Sequence, residues 1–164
     1  MKKLSALSAV LGALGTFAIP AFAAVEEGTL NITATVIAQC TITTTAVAFG
    51  DISPTQATTA TGAISISCDD NNTLDSVVVD GGSNEDAGTR RMRDGGTNVI
   101  PYTLSIGGSA VAVNGDIASE ITLTGAGPYT DSVDVDGAIA STGTARAVGA
   151  YSDAVTITVN YSAP

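Results

Sequence analysis

The 164-residue sequence contains no histidine, only two cysteines, and only six lysines and arginines against 16 acidic residues. Each scarcity excludes a class of function. Without histidine the usual Ser-His-Asp and Cys-His arrangements cannot be built. Two thiols with no imidazole and no third sulfur make a poor zinc site. A chain this acidic repels phosphate backbones, which excludes nucleic acid as a partner, and it has no basic surface for an anionic membrane. Carboxylates are plentiful enough for a glycosidase pair, yet no two of them are marked by the sequence as converging on one cleft. The sequence therefore reads as a non-enzyme that needs no cofactor or metal.

Long apolar runs are also missing, with one exception at the front. "MKK" is followed by "LSALSAVLGALGTFAI" and then by "PAFA", ending in Ala21-Phe22-Ala23. A basic head, an apolar middle and a small-x-small end form a secretory signal peptide, here residues 1–23 with cleavage before Ala24. The apolar run falls short of the ~20 residues a membrane span needs, and Pro20 closes it, so direct membrane insertion is not expected. Removing 23 of 164 residues leaves 141, enough for one domain with a core. Both lysines leave with the signal. Arg90, Arg91, Arg93 and Arg146 then face 16 acidic residues, a formal charge of −12, which favours solubility of an exported protein. In such a protein the pair Cys40 and Cys68 reads as a disulfide. Its closed loop of 29 residues, counting both ends, corresponds to roughly 3.5 kcal/mol in the chain-entropy description.

What is present is β-structure. "GTLNITATVIAQC" places Leu30, Ile32, Ala34, Val36, Ala38 and Cys40 on alternate positions, the period of a strand with one buried face. "AISISC" alternates through Ile64, Ile66 and Cys68, and "LDSVVVD" follows as a third strand. "NVIPYTLSIGG" keeps Ile100, Tyr102, Leu104 and Ile106 in phase, although Pro101 demands an edge or a bulge. "SEITLTG", "DSVDVDGAIA" and "YSDAVTITVNY" complete the set, the last with Tyr151, Val155, Ile157, Val159 and Tyr161 on odd positions. Seven or eight short strands separated by turn signals predict an all-β immunoglobulin-like sandwich.

Three local motifs invite function. "DSVDVDG" resembles part of a calcium loop, but the Val133 and Val135 alternation predicts a strand with Asp134 and Asp136 on its wet face, and Gly143 stands where a glutamate belongs. "CDDNN" reads as a hairpin turn built on Asp and Asn chemistry. "RRMRDGG" gathers three of the four mature arginines, and ion pairing with Asp86, Asp94 or neighbouring strands is preferred over a docking patch.

Taken together, "AQCTITTTAVAFG", "GAISISC", "VVVDGGSN", "RRMRDGG", "IPYTLSI" and "SVDVDGAIASTGTARAVGAYSDAVTITVNY" resemble the spore coat protein U domains, subunits of archaic (σ-type) chaperone–usher pili. The resemblance spans nearly all of the mature chain. It departs at "GGSAVAVNGDIASEITLTG", which is small and aliphatic where family members are often aromatic. It implies an incomplete immunoglobulin-like β-sandwich, residues 37–164, completed by a donor strand from a neighbouring subunit. The donor segment would be residues 24–36, with Gly28, Leu30, Ile32, Ala34 and Val36 as the polymerising residues. Val155, Ile157, Val159 and Tyr161 would line the acceptor groove. The implied partners are identical or related pilin subunits, a periplasmic chaperone and an outer-membrane usher. The implied location is the periplasm in transit and then an extracellular pilus for attachment and biofilm formation. A tip or minor adhesin binding a surface or glycan, and a spore- or cell-coat structural protein, are the alternatives.

Overall fold

The computed structural model describes residues 29–35, 37, 39–70, 72–142 and 144–162. The chain divides into two units, Met1–Ala34 and Thr35–Pro164, and the second carries all the regular structure described below. The expected signal peptide, and Gly28 and Val36 of the expected donor set, lie outside the described residues. No helix among the described residues is long and apolar enough to cross a membrane.

Two antiparallel sheets face each other. The first contains β1 (Cys40–Thr45), β2 (Thr58–Cys68), β9 (Tyr129–Ile139), β6 (Thr103–Ile106) and β7 (Ser109–Ala110), side by side in that order. The second contains β10 (Ile157–Ser162), β3 (Thr73–Val79) and β8 (Gly115–Asp116). A separate two-stranded ladder joins β4 (Arg91–Arg93) to β5 (Val99–Pro101), and Arg93 also bridges Ser152 ahead of β10. The alternation seen in the sequence becomes the core. Ile64, Ile66 and Cys68 of β2, Val135 and Ile139 of β9, and Leu104 and Ile106 of β6 are buried from one side, and Val77 and Val79 of β3 from the other.

Three expectations are corrected. The stretch around Pro101 is not one strand. It splits into β5, paired with β4, and β6, paired with β9, because proline has no N–H to offer a continuous ladder. "SEITLTG" folds as a single 3-10 turn (Ala118–Glu120) with a lone bridge at Thr124, although Ile121 is buried as its apolar character requires. The final strand starts at Ile157 rather than Tyr151; the residues before it pair irregularly, Ala154 with Ser83 and Thr156 with Asp80.

Residues 29–35, 37 and 39 carry no regular secondary structure, so the alternating opening stretch has no partner strand among the described residues. The first strand begins at Cys40, directly opposite Cys68, and the two are joined by a disulfide.

Candidate functional site: the open side of the sandwich

The sheet orders define two unlike sides. On one side the edge strands β7 and β8 have two residues each, and only residues 111–114 separate them in the chain. Arg90 closes this side. Its side chain is buried and donates to the carbonyls of Val79 (3.0 Å), Asp80 (2.9 Å), Val111 (2.6 Å) and Ala112 (2.9 Å), which ties the end of β3 to the β7–β8 connection. Five N–H donors in a planar fork suit this task, whereas an ammonium would reach fewer of the four acceptors. Of the arginine run, Arg91 pairs with Asp86 at 2.9 Å, as the sequence led one to expect, while Arg90 bonds to carbonyls instead of a carboxylate.

The opposite side holds the other edges, β1 and β10. Both are six residues long, and among the described residues neither has a partner beyond β2 and β3 respectively. The inward face of β10 shows the consequence. Val155 just ahead of the strand and Ile157, Val159 and Tyr161 within it are only half-buried, whereas Val79 and Val77, the β3 partners of Ile157 and Val159, are buried. Ile42, on the inward phase of β1, is 37% exposed. A β-sandwich with two long bare edges and a half-covered core face lacks cover there, a situation proteins normally avoid.

After Thr45 the chain leaves the sheet edge and crosses the inner face. It passes over Gly62 of β2, and the side chains of Val47 and Phe49 lie against Gly137 of β9. Both glycines occupy inward positions, in phase with Ile64 and Val135, and any side chain there would collide with the crossing segment. Phe49 then meets Tyr102 edge-on, with ring centroids 6.5 Å apart.

This crossing segment and the lead-in to β10 form the two walls of a concavity of about 860 Å³. Val47, Phe49 and Ile52 contribute one wall, and Tyr151 and Val155 the other; Met92, Ile100, Tyr102 and Leu104 also line it. Its lining is mostly apolar, and the polar groups at its centre bond to one another. Tyr102 donates its hydroxyl to Asp153 Oδ2 at 2.7 Å, and Asp153 Oδ1 accepts from both nitrogens of Asn84 at 3.1 Å. Burial first, and then the bond to Asp153, push the Tyr102 hydroxyl above its ordinary pKa. Arg146 bonds to the carbonyls of Ser53, Gln56 and Ala140, holding the far end of the crossing segment. A largely apolar trough with two bare strand edges is equipped to take up an extended apolar strand, by ladder bonds and side-chain pockets.

Of the residues expected to line such a groove, Val155 lines this concavity, and Ile157, Val159 and Tyr161 continue the same face along β10. Of those expected to be donated, Leu30 and Ile32 are 82% and 85% exposed, and Ala34 is exposed as well. Sequence reading missed the crossing segment 46–52. Its signal was the pair Gly62 and Gly137, each interrupting an otherwise apolar inward row. Asp134 and Asp136 stand on the outer face, where Asp136 accepts from Thr61 at 2.7 Å. Asn72, in the β2–β3 turn, is buried and donates to Cys40 Sγ at 3.4 Å.

Fold and site together define an all-β, antiparallel sandwich of the pilin immunoglobulin-like class with one uncovered side. The model of the Spore Coat Protein U domain matches residues 26–158, and the chain belongs to that family. Among solved structures it is similar to the CsuC–CsuE chaperone–tip adhesion subunit pre-assembly complex of the archaic chaperone–usher Csu pili of Acinetobacter baumannii. The TM-score is 0.55 at 20% identity, covering 76% of this chain and 40% of that one, a likeness of fold. No curated protein matches the sequence.

Proposed function

We propose that this protein is a structural subunit of an extracellular fibre of the chaperone–usher type. In this reading it is exported by its signal peptide, held in the periplasm by a chaperone that covers the open side, and polymerised at an outer-membrane usher. Residues 24–36 of one subunit complete the sandwich of the next, and the fibre serves surface attachment and biofilm formation. The observation that carries the reading is the coexistence of two bare six-residue edges on one side with an exposed, alternating segment ahead of β1. Membership of the family and likeness to a pilus subunit complex support it.

The donation is between molecules. Gln39 accepts from the Asp69 N–H at 2.9 Å and Cys40 is bonded to Cys68, so the chain leaves β1 in a defined direction. The link "TVIAQ", Thr35 to Gln39, has no glycine, proline or asparagine with which to reverse it into its own groove. Head-to-tail contacts that do not close on themselves grow fibres. Leu30 and Ile32 would each contribute ~1.5–3 kcal/mol on full burial.

The test is the Ile32→Asp variant. Negative-stain images of wild-type exported material should show thin fibres. The variant should accumulate only as chaperone-bound monomer, because a carboxylate cannot enter an apolar pocket unpaired. Normal fibres from Ile32→Asp would sink the donor assignment. A tip or minor subunit is the second reading, favoured by the tip identity of the similar solved subunit. Immunogold label along the fibre would support the rod role, and label at one end only the tip role.

A further inference from the structure

Five large apolar side chains stand exposed among the described residues: Leu30, Ile32, Ile37, Ile42 and Val148. The proposed function accounts for three. Leu30 and Ile32 share the donated phase, and Ile42 borders the uncovered groove. Ile37 (74% exposed) and Val148 (96% exposed) are left over.

Their placement is specific. Ile37 has odd parity, so it cannot point into a groove together with Leu30, Ile32 and Ala34. It lies three residues before Cys40, whose position is set by the disulfide, and thus within about 10 Å of chain from its own folded body. Whatever Ile37 touches in a fibre sits at the junction of two subunits. Val148 stands on the lip of the concavity. The two residues before it are anchored: Tyr151 donates its hydroxyl to the Ala147 carbonyl at 2.9 Å, and the Arg146 N–H donates to the Pro54 carbonyl at 3.0 Å. Val148 thus projects from a chain segment fixed to Pro54 and Tyr151.

Strand direction brings the two together. A strand added to the bare edge of β10 is better paired antiparallel than parallel. Its C-terminal end then lies beside the lead-in to β10, where Tyr151 and Val155 share the concavity with the Val148 lip. That is the end of the donated segment next to Ile37.

Resting on the donor-strand reading, we infer that Ile37 of one subunit packs on Val148 of the subunit whose groove its arm fills. This is an apolar junction contact outside the groove that sets how successive subunits abut. It makes the interface longer than the inserted strand, and it gives the lip and the arm base a shared role.

The test uses fibres of the full exported chain, assembled from isotopically heavy and light copies. Val148 is replaced by the photo-cross-linking residue p-benzoylphenylalanine, and Tyr161 is replaced likewise in a second preparation. The probe at Val148 should capture a peptide containing residue 37 from a different copy, and the probe at Tyr161 should not. Ile37→Asn and Val148→Asn should each lower the temperature at which fibres fall to monomers, and the double variant should fall no further than the single ones. Capture of the residue-37 peptide by the Tyr161 probe would overturn the inference, as would fibres that form without capture at Val148. Both outcomes would leave strand donation standing. Wild-type material that forms no fibres would overturn the donor reading itself and the junction with it.

Discussion

The carbonyl oxygen of Thr45 passes so close above Gly62 that a Cβ built on that glycine would lie 2.5 Å from it. The contact marks where the first strand abandons its sheet and crosses the inner face. It also explains a glycine in the middle of an eleven-residue strand, where glycine otherwise weakens pairing. The crossing supplies one wall of the open groove, so Gly62 and Gly137 are requirements of the site as much as of the fold.

Substitution of either glycine by alanine should therefore destabilise the protein and disturb assembly. At Gly62 the obstacle is the backbone of Thr45, Ala46 and Val47, which cannot rotate away. Gly62→Ala is expected to cost about 2–3 kcal/mol, at the upper end of overpacking penalties. At Gly137 the collision is with the Val47 and Phe49 side chains, which have some freedom to shift, and the cost should be smaller. Thermal unfolding followed by circular dichroism checks the order: Gly62→Ala should melt lowest, then Gly137→Ala, then wild type.

The closed side makes a separate prediction. Arg90→Met keeps the apolar stem but leaves the carbonyls of Val79, Asp80, Val111 and Ala112 without their donor. Unpaired buried polar groups cost about 1–3 kcal/mol each, so even with water entering, the loss should reach at least about 3 kcal/mol. Arg90→Lys should recover only a minor part, because three nitrogens in a plane now do what one ammonium would have to do. Urea denaturation of the three proteins measures this. Equal stability of Arg90→Lys and wild type would show that charge matters there and the fork does not.

The parts of this molecule that were legible in the sequence are those governed by period two. Ile64, Ile66 and Cys68, or Leu104 and Ile106, alternate because one face of a sheet is dry, and their burial follows directly. The disulfide was legible because a chain whose opening reads as an export signal has few other uses for two thiols. The open side was legible only in part. Alternation marks Val155 to Tyr161 as a face, but it does not say that nothing covers it; that depends on sheet order, set by long-range pairing of β1 with β2 and β10 with β3. The arginine run was legible for Arg91, which pairs with Asp86, but not for Arg90. Ion pairing was expected for Arg90, yet it is buried against carbonyls, a choice made by the meeting of β3 with the β7–β8 connection, whose Val111 and Ala112 lie 21 and 22 residues further along the chain. Val148 could not be read at all, since a lone valine among alanine and glycine carries no period.

Acidity tests the lead-in to β10. Asp80 accepts from the Gly82 and Thr156 N–H groups at 2.8 Å each, and Thr156 is the last residue before β10. Burial raises the pKa of this carboxyl, but the bonds from Thr156 and Gly82, with Arg90 nearby, outweigh it and hold the group below the ordinary carboxylate value of 3.8. A carboxyl whose pKa is lower folded than unfolded contributes stability that is fully present above the unfolded value and is lost as pH falls through the folded one. Stability should thus be flat from about pH 7 down to roughly pH 5 as far as this group is concerned, and decline below about pH 4. Asp80→Asn retains an acceptor oxygen but removes the titration, so its unfolding free energy should be lower than wild type at neutral pH and should converge with it in acid. Parallel pH profiles for the two proteins between pH 2 and pH 7, offset by a constant, would show that Asp80 does not couple the β3 end to β10 through its charge.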